Sequence, residues 1–127
     1  MLAASLRAGT IAANKPNTIA TAIALKYSPG AHVTVKNAEP SGERSKRLRA
    51  LERLLESASI MGAERGDAWV GVGGGTTTDL VGAAAALYLR GTPFVVLPTT
   101  WLGMTDAAIG GKVGVDLSAA KNAAGAF

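Results

Sequence analysis

The chain has 127 residues, a formal net charge of +4, one histidine (His32) and no cysteine. That length fits one small domain or a piece of a larger one, and 48% apolar residues are enough to fill a core. The lack of cysteine excludes disulfides and thiolate metal clusters, and a lone histidine argues against a self-contained histidine metal site.

In chain order, the alanine-rich stretch from Thr18 to Lys26 reads as helical, with Asn17 as N-cap. Ser28-Pro29-Gly30 breaks it, and Ala31 to Val35 reads as a short strand. Glu39-Pro40-Ser41-Gly42 is a loop. Arg44 to Met61 is the clearest amphipathic helix, with Leu48, Leu51, Leu54 and Leu55 at helical spacing and Gly62 ending it. Ala68 to Val72 predicts a short apolar strand that runs into Gly73-Gly74-Gly75, then Thr76-Thr77-Thr78-Asp79. Leu80 to Leu89 is apolar nearly all round and predicts a buried helix. After the Gly91-Thr92-Pro93 turn, Phe94 to Leu97 predicts a second buried strand, ended by Pro98. Strand, glycine loop, helix and strand make one βαβ unit with a parallel pairing. Residues 101–127 read as a loop region with short helical pieces.

The charges are unevenly spread. Residues 1–70 carry the whole +4, whereas residues 71–127 are neutral and hold eleven of the sixteen glycines. The six charges kept there are Asp79, Arg90, Asp106, Lys112, Asp116 and Lys121. In a buried, glycine-rich stretch each needs a reason, because an unpaired buried charge is costly. The positive excess lies mainly on the 44–61 helix and its flanks. With six aromatic residues in all, that makes no nucleic-acid surface. The longest uncharged run, Gly91 to Thr105, is 15 residues with two prolines, too short for a membrane span of about 20. Arg7 interrupts the N-terminal apolar stretch, which argues against a signal peptide and for a cytoplasmic protein.

A glycine turn from a strand into a helix N-terminus suits an anion: the backbone can approach closely, and free N–H groups and the helix dipole point at it. Tight strand–helix packing is the other explanation for the same glycines. The P-loop is excluded because no Gly-Lys-Ser/Thr follows. The usual dinucleotide fingerprint lacks its third glycine, where Thr78 sits. Its ribose-binding acid is also missing, since that position falls within Val95–Pro98. Asp79 is either a helix-start residue or a ligand acceptor. Thr99 and Thr100 are either a helix cap or ligand hydroxyls at the carboxyl edge of the sheet. Lys112 and Lys121 are either donors to a phosphate or carboxylate, or ordinary loop lysines.

Taken together, GVGGGTTTDLVGAAAALYLRGTPFVVLPTTWLGMTDAAIGGKVGVDLSAAKNAAGAF and the upstream SGERSK resemble 3-dehydroquinate synthase. The ordered motifs are the GGG…D, the LRG turn, the PTT, the D…GGK and the KN…GAF. The likeness is strong over residues 40–127 and weak over 1–39. It implies an α/β, parallel-sheet, Rossmann-like NAD-binding domain, incomplete here and lacking the helical metal-binding domain that follows it. It implies NAD as cofactor and a divalent metal, zinc or cobalt, whose glutamate and histidine ligands lie beyond this sequence. It implies the shikimate-pathway cyclisation of 3-deoxy-D-arabino-heptulosonate 7-phosphate to 3-dehydroquinate with loss of phosphate. As a fragment, the isolated chain is expected to be inactive.

Carried over residue by residue, Ser41, Gly42, Glu43, Arg44, Ser45 and Lys46 would meet the adenosine side of NAD. Gly74, Gly75, Thr76, Thr77 and Thr78 would cradle its pyrophosphate. Asp79, Thr99, Thr100, Lys112 and Lys121 would also contact the cofactor. Asp106, Lys112 and Asn122 would contact a phosphorylated sugar acid, and Arg90 would reach the substrate phosphate of a neighbouring subunit in a homodimer. Ser41 departs from the family's Asp, Thr78 from a common glycine, and Asp116 from a common Asn. Asp116 is the one charge of the neutral half that the resemblance leaves without a role. The rivals are a sedoheptulose 7-phosphate cyclase and a non-catalytic NAD-binding remnant. The iron-dependent dehydrogenases are disfavoured because Leu80-Val81-Gly82, and no lysine, follow Asp79.

Overall fold

The computed structural model describes two strands, β1 (Thr21–Leu25) and β2 (His32–Lys36), and all of residues 43–127. After a 3₁₀ turn at Glu43–Ser45 come α1 (Leu48–Ile60), β3 (Ala68–Gly73), α2 (Gly75–Leu87) and β4 (Phe94–Pro98). A π-helical turn at Gly103–Ala107 and the strands β5 (Val113–Val115) and β6 (Ala124–Ala126) follow.

Four strands form one sheet in the order β2-β1-β3-β4. The β3–β4 pair is parallel, as a βαβ unit requires, with Gly71 opposite Val96 and Gly73 opposite Pro98. β1 runs antiparallel to both β2 and β3, so the sheet is mixed. The helix expected over 18–26 is therefore not formed in its described part: Thr21–Leu25 is a strand. Pairing on both edges outweighs the weak helical preference of two alanines. The proposed cap Asn17 lies outside the described residues.

α2 is the hub of the fold. It packs on β3 and β4, on α1, and on the β5–β6 hairpin, which explains why its sequence is apolar nearly all round. Alternate residues of β3 face it in a graded way. A side chain at Gly73 would strike Thr77, and one at Gly71 would press on Val81. At the other end Trp69, 1% exposed, fills the core and meets Tyr88 edge-on, with ring centroids 5.7 Å apart. Glycines thus bring the start of α2 close to the strand end, while a tryptophan occupies the space at its far end.

α1 begins at Leu48, later than the sequence pattern suggests, because residues 43–45 form a separate turn. Leu51 and Leu54 are buried with Ala50 and Ala58, while Leu48 is half-exposed. Gly62, at φ +67°, ends the helix segment as expected. The expectation of a fully buried β4 is not met: Phe94, Val95 and Leu97 stay substantially exposed. β4 is the edge strand of this sheet. Residues 101–127 also hold more order than expected. β5 and β6 pair antiparallel, with Gly114 opposite Gly125, and a side chain at Gly125 would collide with the Val113 carbonyl.

Gly82 is where α2 meets this hairpin. A Cβ there would overlap the Val113 side chain and lie 3.2 Å from the Phe94 ring. Gly82→Ala is therefore expected to destabilise the chain by about 1–2 kcal/mol, although alanine is the better helix former by about 1 kcal/mol. Urea unfolding of the two proteins measures the sign: a more stable alanine variant would refute the close contact.

Candidate functional site

The carboxyl ends of β3 and β4 lie side by side, and the chain leaves both towards the same edge. From β3 it passes through Gly74, the N-cap of α2, which has no side-chain cap hydrogen bond. The leading N–H groups of a helix left without a side-chain cap suit an anion. A Cβ on Gly74 would lie 3.2 Å from the Thr100 methyl carbon, so the glycine turn and the end of β4 are in direct apposition. Thr99 N–H donates to the Gly73 carbonyl at 2.8 Å. The Thr100 hydroxyl accepts from Gly103 N–H at 3.1 Å and so caps the next turn. Trp101, 83% exposed, stands beside it at the rim. Thr77 and Thr78 are buried within α2, and the Thr78 hydroxyl donates to the Gly75 carbonyl at 2.9 Å. The glycine turn, the start of α2 and the end of β4 thus frame one edge of the sheet.

Asp79 lies in the second turn of α2, beyond the first-turn positions that interact best with the dipole. Its charge is met instead by Lys46, whose Nζ donates to Asp79 Oδ2 at 2.8 Å. The same Nζ donates to Asn122 Oδ1. Lys46 is only 3% exposed. Residues far apart in sequence, each picked out by a separate motif, therefore meet at one ammonium group. The family resemblance places Lys46 at the adenosine side of a cofactor, whereas in the structure its ammonium joins Asp79 and Asn122.

Asp79 and Asn122 line an open cavity of about 610 Å³, together with Asp106, Lys112, Gly110 and Phe127. Asp106 lies in the π-helical turn, and its carbonyl accepts from Gly110 N–H at 2.8 Å. The Lys112 ammonium sits 5.9 Å from the centroid of the Phe127 ring, within cation–π range. The cavity thus offers carboxylates that accept from hydroxyls and an exposed ammonium that donates to an anion. A second cavity of about 350 Å³ is lined by Arg44, Arg47, Lys121 and Asp116. Arg47 Nη1 donates to the Leu117 carbonyl at 2.8 Å there.

Arg90 is not gathered with the others. It is exposed beyond the C-terminal end of α2, and 13 helical residues separate that end from the glycine turn by about 20 Å. Leu89, Arg90 and Gly91 all have positive φ, at 48°, 66° and 118°. Glu43 opens the 3₁₀ turn, whereas Ser41 and Gly42 lie outside the described residues. Among the described residues no three His, Cys, Asp or Glu side chains cluster to hold a metal. No helix among them is long and apolar enough to cross a membrane.

Residues 36–127 match the family profile described as 3-dehydroquinate synthase N-terminal. The 3-dehydroquinate synthase of Saccharolobus solfataricus is 46% identical over 102 residues, 80% of this chain and 28% of the relative. A putative aminodehydroquinate synthase of Amycolatopsis mediterranei is 51% identical over 86 residues, 68% of this chain and 24% of the relative. Among solved structures, a 2-deoxy-scyllo-inosose synthase complexed with carbaglucose-6-phosphate, NAD+ and Co2+ superposes with a TM-score of 0.66 at 38% identity. It covers 69% of this chain and 24% of that one. The 2-epi-5-epi-valiolone synthase of Streptomyces hygroscopicus with NAD+ and Zn2+ bound gives 0.66 at 39%, over 68% of this chain and 24% of that one. The chain spans about a quarter of the length of the relatives it matches. On the strength of the profile match, the shared α/β fold and these identities, the chain belongs to the 3-dehydroquinate synthase family.

Proposed function

We propose that residues 40–127 are part of an NAD-binding domain whose complete enzyme cyclises 3-deoxy-D-arabino-heptulosonate 7-phosphate to 3-dehydroquinate. The observation that carries this is that the buried Lys46 joins Asp79 and Asn122, both of which line the large cavity. Gly74, Gly75 and Thr76 to Thr78 hold the cofactor pyrophosphate. Thr99, Thr100, Asp79, Lys112 and Lys121 hold the rest, with residues 41–45 towards the adenosine and Lys46 holding Asp79 in place. When bound, NAD supplies a reversible hydride acceptor. Asp106, Lys112 and Asn122 orient the phosphorylated sugar acid by hydrogen bonds and charge. Arg90, on its exposed turn, reaches the substrate phosphate of a second subunit in a homodimer. The isolated chain binds NAD without turnover, because its described residues offer no metal-ligand cluster.

The likeness to cyclases named for other products, one of them complexed with carbaglucose-6-phosphate, supports as an alternative a cyclase of another sugar phosphate, for which sedoheptulose 7-phosphate is the candidate. Calorimetric titration of the chain with NAD tests the cofactor site; saturable binding is expected, and none at millimolar NAD overturns it. In Gly74→Val the added side chain runs into Thr100, and NAD affinity is expected to fall at least about tenfold, or 1.4 kcal/mol. Assays with each sugar phosphate, NAD and zinc test the rest. Turnover by the isolated chain refutes its inactivity. For the substrate, the parent enzyme turns over the heptulosonate phosphate, and preference for sedoheptulose 7-phosphate refutes that assignment.

A further inference from the structure

Asp116 is 4% exposed and is the one charge of the neutral half to which the family resemblance assigns nothing. Its surroundings give it a task. Asp116 Oδ1 accepts a 2.7 Å hydrogen bond from the backbone N–H of Asn122. Asn122 has φ +50°, a left-handed conformation that asparagine adopts more readily than other non-glycine residues. The Asp116 N–H in turn donates to the Lys46 carbonyl at 2.8 Å, where the chain makes a parallel bridge between Arg47 and Asp116. The circuit closes through side chains, because Lys46 Nζ donates to Asn122 Oδ1. From Lys46 it branches to Asp79 on α2.

We infer that Asp116 is a positioning residue: it pins the left-handed Asn122 and thereby fixes the amide that, with Asp79, orients the Lys46 ammonium beside the large cavity. A carboxylate makes a stronger acceptor than an amide for that backbone N–H. An asparagine side chain can still accept the bond, whereas alanine cannot. Asp116 itself faces the smaller cavity, next to Lys121 and Arg47, and does not line the large one. Its influence on a ligand in the large cavity is therefore exerted through Asn122 and Lys46.

The test uses the 127-residue chain, isotopically labelled, with amide exchange by NMR and NAD titration by calorimetry. The ligand arm rests on the NAD assignment above; the exchange arm does not. In the wild type the Asn122 amide exchanges slowly. Asp116→Ala speeds that amide on the order of tenfold more than the α1 and α2 amides, and D116N stays within about threefold of wild type. NAD binding weakens by about tenfold in D116A and recovers in D116N. Uniform acceleration of all amides would reduce Asp116 to a stabilising residue and overturn the inference. Loosened Asn122 with unchanged NAD affinity would also overturn it. Should the wild type not bind NAD, the cofactor assignment fails, and the exchange arm alone decides the positioning role. Should D116A not fold, the wild-type amide decides: exchange at the rate of an open turn refutes the hydrogen bond.

Discussion

Replacing Lys46 with methionine is expected to lower the unfolding free energy by about 3 kcal/mol and to abolish measurable NAD binding. Methionine keeps much of the length and the apolar stem but takes away the ammonium. Asp79 then has a carboxylate largely withdrawn from water and no cation, and Asn122 loses its donor. Removing one member of a buried pair costs more than removing both, since the survivor's charge stays unmatched. The double variant Lys46→Met with Asp79→Asn is accordingly expected to recover about 1–2 kcal/mol of the loss. Urea unfolding of the two single variants and the double closes the cycle. Strict additivity would show that the 2.8 Å pair carries no coupling. NAD binding is not expected to return in the double variant, because the Lys46 ammonium and the Asp79 negative charge are both gone.

Trp69→Ala is expected to cost about 3–5 kcal/mol, as much as many small domains possess in all. Trp69 is the largest fully buried side chain among the described residues. It occupies the space between β3 and the C-terminal part of α2, where no glycine brings the backbones together. Its loss also removes the edge-on contact with Tyr88, whose hydroxyl donates to the Ala63 carbonyl at 2.9 Å. Trp69→Phe restores part of the volume and is expected to cost about half as much. Denaturant midpoints measure this, with an unchanged slope showing that the native state stays compact. A midpoint within error of wild type for the alanine variant would mean that this space is not a core.

The βαβ unit was readable because its signals are strong and local: a glycine run, ten apolar residues, a Gly-Thr-Pro turn and a short β-branched run. The first strand was not. Thr21–Leu25 contains two alanines that favour helix slightly, and only pairing with β2 and β3 decides otherwise. The β5–β6 hairpin was hidden for the opposite reason. Its strands are Val-Gly-Val and Ala-Gly-Ala, too short and too glycine-rich to register as strands, and α2 supports them from one side. Lys46, Asp79 and Asn122 were each visible as motif residues. Their meeting was not, because the contacts span 33 and 76 residues of sequence. Asp116 stands out in the sequence only as a charge without a reason, because the partner of its carboxylate is the main-chain N–H of Asn122, which no side-chain pattern encodes.

The chain's two tryptophans occupy opposite environments, one sealed against α2 and the other on the rim beside Thr100. They form a natural pair of optical reporters. Emission from Trp101 should be red-shifted and readily quenched by acrylamide, whereas Trp69 should emit in the blue and resist quenching until the core opens. On the reading proposed above, a nicotinamide or adenine ring bound near Thr100 would dim the first without touching the second. Occupancy and unfolding can therefore be followed separately in one sample, with no label added.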